Sequence, residues 1–103
     1  MRIWKWTLQV CDTQTLSMPE GAQVLSVQVQ GGMPQLWALI DETKPQVSRT
    51  FSTYGTGYPL PRSLGPGQHR KHAFIGTYLM EDGGLVLHVF ENPIQIIPLP
   101  YTG

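Results

Sequence analysis

The chain has 103 residues, room for a single domain around one hydrophobic core. Seven Lys and Arg balance seven Asp and Glu, for a formal net charge of zero, which excludes a polycationic coat and an acidic solvating tail. With 11 Gly and 9 Pro, no stretch is free of breakers for long enough to build a helical bundle, and no apolar run approaches the ~20 residues of a transmembrane helix.

At the N-terminus, Lys5 interrupts what would be the apolar region, so the segment does not read as a signal peptide. Trp4, Trp6, Leu8 and Val10 alternate with polar positions, which predicts a first strand with these four on one face. Cys11 is a lone cysteine, so no internal disulfide forms and a reducing cytoplasm is the expected compartment. After the short Asp12-Thr13 connection, Thr15, Leu16 and Met18 predict a second strand that returns antiparallel on the first. Pro19-Glu20-Gly21 is a turn. Residues 23–30 then place Leu25, Val27 and Val29 on one face, with Ser26, Gln28 and Gln30 opposite.

Gly31-Gly32-Met33-Pro34 predicts a hairpin turn, because Gly accepts positive φ at little steric cost. Residues 35–41 are almost continuously apolar and predict a strand buried on both faces, although a short buried helix shares this pattern. A fifth strand is expected over 47–54. Residues 55–72 lack periodicity and hold four Gly and three Pro, a stretch of the kind that is usually functional. Residues 73–80 and 85–92 predict a last hairpin turning at Glu81-Asp82-Gly83-Gly84. Trp4, Trp6 and Trp37 lie in the strongest strand patterns and are expected in the core.

The expected fold is all-β: one small antiparallel barrel or sandwich of about seven strands with a long Gly/Pro-rich loop. The domain spans residues 1–92. Residues 93–103, with three Pro, form an extended C-terminal arm. The arm is apolar enough to favour packing on its own sheet or in a homo-oligomer interface.

The zero sum hides segregation. Residues 1–42 carry two bases and four acids, residues 43–80 five bases and no acid, and residues 81–103 three acids and no base. The basic block (Lys44, Arg49, Arg62, Arg70, Lys71) coincides with the Gly/Pro-rich stretch and includes His69 and His72. Arginine forks and free Gly amides can receive an anion. Tyr54 and Tyr58 flank the start of the stretch and can stack on a base or sugar, as can Trp37. The candidate ligand-binding residues are therefore Trp37, Arg49, Tyr54, Tyr58, Arg62, His69, Arg70 and Lys71. A solvated basic loop that only aids solubility has the same composition.

Other motifs are weaker. His69 and His72 have an i, i+3 spacing but two intervening cations and no further ligand type, so no metal and no cofactor is expected. Gly55-Thr56-Gly57 lacks a Gly-Lys-Ser/Thr ending and reads as a tight turn. Ser48, Ser52 and Cys11 have no context marking a base or an oxyanion hole, so no catalytic residue is assigned. His88, inside an apolar strand, reads as a hydrogen-bonded structural histidine with a site role as the alternative.

Met18-Pro19-x-Gly21-Ala22, Trp37-Ala38-Leu39-Ile40-Asp41, Phe51-x-x-x-Gly55-Thr56-Gly57 and Phe74-Ile75-Gly76-Thr77-Tyr78 through Leu87-His88-Val89-Phe90-Glu91 carry a resemblance over about residues 1–91. The chain resembles a family of small proteins encoded by bacteriophages and prophages, with no assigned activity. The arm and the segment around 60–68 depart from that pattern. The resemblance implies a phage accessory factor of the counter-defence type. The expectation is a protein that captures a phosphate-bearing small molecule such as a nucleotide immune signal. Alternatives are a factor blocking a host or defence protein, a nucleotide-degrading enzyme using His69, His72 or His88, and a virion component. Neither membrane association nor sequence-specific nucleic-acid binding is expected.

Overall fold

The computed structural model describes residues 1–61 and 73–93. Most of the Gly/Pro-rich stretch and the C-terminal arm beyond Pro93 lie outside the described residues. Gly31 and Gly32 have φ of 63° and 85°, the left-handed conformation that a two-residue hairpin turn requires. They join β3 (Gln23–Gln30) to β4 (Met33–Ile40). The other strands are β1 (Arg2–Thr7), β2 (Thr13–Pro19), β5 (Gln46–Gly55), β6 (Ala73–Met80) and β7 (Leu85–Glu91). β6 and β7 form the expected hairpin, through a short 3-10 turn at Glu81–Gly83. Among the described residues no helix is long and apolar enough to cross a membrane.

Two antiparallel sheets result, one in the order β1-β4-β3 and the other β2-β5-β7-β6. They share one core and, among the described residues, form no closed barrel. β2 does not return on β1, contrary to the sequence expectation: β1 pairs with β4 and β2 with β5. The connection between them explains the difference. The Leu8 amide donates to the Pro34 carbonyl at 2.9 Å and its side chain is fully buried. Four residues later the Asp12 carbonyl accepts from the Thr53 amide at 2.8 Å. One end of the connection is thus held to β4 and the other to β5, so the chain crosses between sheets. The Trp6 indole spans the resulting gap and donates to the Ser17 carbonyl at 3.1 Å.

The core is built by period-two alternation from both sheets. Leu36, Ala38 and Ile40 of β4 meet Phe51 of β5, Tyr78 of β6 and Leu87 and Val89 of β7, with Leu8 and Met18 between them. Only one face of β4 is fully buried. Trp37 and Leu39 point outward and are half-buried, because the outer face of the three-stranded sheet meets solvent. Of the tryptophans expected in the core, Trp6 packs against it, half-buried. Trp4, 38% exposed on an edge strand, and Trp37, half-buried on the outer face, depart from that expectation.

Period two also fails in β3, where a register shift between Val24 and Ser26 forms a bulge. Val27 stays buried, Val24 is half-buried against the core, and Leu25 is left exposed. A second shift lies between Phe74 and Gly76 of β6. These irregular segments meet at the seam between the sheets, where a Cβ on Gly76 would stand 2.7 Å from Val27 Cγ1. The absent side chain therefore lets β6 approach β3. Gly76→Ala is expected to lower stability by about 1–3 kcal/mol through overpacking. Denaturant unfolding in a double-mutant cycle with Val27→Ala should show the two losses to be less than additive.

Candidate functional site

Tyr54 ends the outward-facing row of β5, and the chain then folds back over it. The Tyr58 amide donates to the Gly55 carbonyl at 3.2 Å, and the Thr56 amide to the Val86 carbonyl at 3.4 Å. The Tyr58 ring lies on Gly55, where a Cβ would stand 2.8 Å from Cδ2. The ring is nevertheless 72% exposed. Tyr54 and Tyr58 thus form a wall, with a cleft on either side.

The larger cleft, about 640 Å³, opens between this wall, the connection Val10–Thr13 and the start of β7 at Leu85 and Leu87. Asp12 is the one charged residue among the described residues lining it. The smaller cleft, about 230 Å³, lies on the outer face of the four-stranded sheet against Phe74, His88 and Phe90. Its floor follows from register: Tyr54 stands opposite His88 and His88 opposite Thr77, while Phe90 stands opposite Phe74. Phe90 makes edge contacts with Tyr54 at 5.8 Å and with Phe74 at 5.3 Å between ring centroids, within the favourable range for aromatic pairs. His88 is held by two hydroxyls, Thr56 Oγ1 at 2.7 Å from Nε2 and Thr77 Oγ1 at 2.9 Å from Nδ1. No carboxylate lines this cleft among the described residues.

The residues expected from the sequence to bind a ligand separate into three groups. Tyr54 and Tyr58 come together as described. Trp37 does not join them, since it faces outward on the other sheet beside Lys5 and Ser26. Arg62, His69, Arg70 and Lys71 lie outside the described residues. Leu60 and Phe74, two residues from either end of that segment, both line the smaller cleft.

Arg49 is engaged elsewhere. Its Nε and Nη2 donate to the two Glu91 carboxylate oxygens at 2.6 and 2.7 Å, and Nη1 donates to the Ala22 carbonyl. The two side chains are only 12% and 13% exposed. The fork expected to take phosphate is therefore occupied by a carboxylate of this chain. Among the side chains lining the smaller cleft, those not singled out from the sequence as ligand contacts are Thr56, Leu60, Phe74, His88 and Phe90, and Thr77 joins them as a hydrogen-bond partner of His88. The alternation Val86, His88, Phe90 against Leu87, Val89 marks His88 and Phe90 as sharing the outward face, a signal present in the sequence.

The Tyr78 hydroxyl is buried without a hydrogen-bond partner. Burial, and secondarily the charge of Cys11, push its ionisation above the ordinary tyrosine value. A raised value means that unfolding favours the phenolate, so stability declines as pH rises beyond about 10, where an unfolded tyrosine ionises. Tyr78→Phe is expected to be neutral or stabilising by up to about 1 kcal/mol at neutral pH and to weaken this alkaline decline in thermal melts. Arg49→Met should destabilise by about 3–5 kcal/mol by leaving Glu91 buried and unpaired, and adding Glu91→Leu should recover most of that loss in urea titrations.

No curated protein and no solved structure matches the chain. A family model described as a domain of unknown function, DUF7352, matches residues 1–97. The match takes in all seven strands of the described residues, and the protein belongs to the DUF7352 family.

Proposed function

We propose that the protein is a binding module that captures a small molecule carrying both a planar ring and phosphate. The observation that carries this reading is the aromatic cleft of Tyr54, Tyr58, Phe74 and Phe90, whose rim residues Leu60 and Phe74 flank the segment holding Arg62, His69, Arg70 and Lys71. Exposed aromatic rings stack on a base at about 1–3 kcal/mol per base. Arginine supplies bidentate, charge-assisted hydrogen bonds to phosphate. With Arg49 bound to Glu91, the phosphate contacts fall to Arg62, Arg70 and Lys71. The long Gly/Pro-rich loop is then the functional insertion of the fold and the Pro-rich arm its oligomer contact. The resemblance to phage-encoded proteins extends the reading to counter-defence, with a nucleotide immune signal as the captured molecule.

Titration calorimetry at low salt against cyclic dinucleotides, ADP-ribose derivatives and nucleoside monophosphates tests the reading. At least one is expected to bind. Tyr58→Ala should weaken that binding tenfold or more, and its stability should change by less than about 0.5 kcal/mol because the ring is exposed. Absence of binding across the panel overturns the reading.

A further inference from the structure

We propose that Thr56, His88 and Thr77 form an anion subsite that opens when His88 is protonated. The proposal rests on the capture reading and assigns a phosphate contact within the described residues. A neutral imidazole has one N–H and one lone pair. At the N–H nitrogen the threonine oxygen accepts, and its own hydroxyl hydrogen is free to point away. At the other nitrogen the threonine donates inward and offers only lone pairs outward. The hydroxyls of these two exposed threonines therefore present one donor and one acceptor to any ligand, whichever tautomer His88 adopts.

Protonation changes this pattern. Both imidazole nitrogens then donate, at the 2.7 and 2.9 Å contacts already in place, and both threonine oxygens accept. Both hydroxyl hydrogens are freed outward beside a new positive charge. A donor–acceptor pair becomes a pair of donors, which suits a phosphate or sulfate group. Among the described residues the titratable groups facing His88 are Tyr54 from β5 and Tyr58 from the segment after it. β6 presents Thr77 and Phe74, which do not titrate. No described carboxylate lining the cleft competes for the imidazolium.

The two hydroxyls also set the ligand class. Thr56 and His88 line the same cleft as Tyr54 and Tyr58, so an anion on the threonines lies beside the rings expected to stack. A ring joined closely to a phosphate satisfies both, as in a nucleoside monophosphate unit.

Proton NMR titration of the full chain between about pH 5 and pH 8, where imidazoles change charge, tests the proposal. The probe is sulfate, a phosphate-shaped dianion whose charge is constant over this window, against chloride at equal ionic strength. His88→Gln assigns the His88 signal among the three histidines. Because coupling is reciprocal, a tenfold preference of sulfate for the protonated state moves the His88 midpoint up by about one pH unit. Thr56→Val and Thr77→Val should each abolish most of that movement. An unmoved midpoint overturns the proposal, as does a movement that persists in both variants, which would report general attraction to the basic segment. A hydroxyl-dependent movement without nucleotide binding supports the subsite and overturns the ring-ligand reading. Nucleotide binding with an unmoved His88 does the reverse.

Discussion

The buried pair of Arg49 and Glu91 is the constraint on which both the fold and the site depend. Arg49 lies on β5, Glu91 ends β7, and the third partner is the carbonyl of Ala22, immediately before β3. One guanidinium therefore ties two strands of the four-stranded sheet to the segment entering the other sheet. Two charges removed from water are tolerated only when the geometry also satisfies their remaining donors and acceptors. The bidentate fork and the carbonyl contact do this. The same engagement removes Arg49 from any ligand.

Around that clamp, the two sheets meet at one seam and leave two outer faces of different character. At the seam, Gly76 lets β6 approach Val27 of β3, and the bulge preceding it changes which β6 residues face outward. That choice brings Phe74 beside Phe90 and Thr77 beside His88. The outer face of the four-stranded sheet thereby collects four aromatic rings, an imidazole and two hydroxyls around one cleft. The outer face of the other sheet carries Trp37 and Leu39 beside Lys5 and Ile3. The position of β6 is thus a core-packing decision with a consequence at the site.

Much of this was legible from residue patterns. The β3–β4 and β6–β7 hairpins follow from Gly31-Gly32 and from the acidic, Gly-rich 81–84 segment, because turn chemistry is local. The outward pairing of His88 with Phe90 follows from alternation in β7. Partner choice for β1 and β2 was not legible. A short polar connection suggests a hairpin, and the crossing depends on Leu8 bonding to Pro34 and Asp12 to Thr53, partners far away in sequence. The bulges were hidden for a related reason: Leu25 fits period two, and its exposure depends on how β3 packs against β4 and β6.

By itself, then, the amino-acid sequence determined an all-β chain, its turns, the alternation within strands and the segregation of its charges, since each arises from neighbouring residues. Tertiary structure decided which strands pair, which half of each alternation is buried and which partner engages Arg49. Arg49 shows the difference. In the sequence it belongs to a basic block, and in the folded protein it belongs to Glu91, forty-two residues away. A carboxylate brought close in space and sheltered from water competes for a guanidinium far better than solvent does.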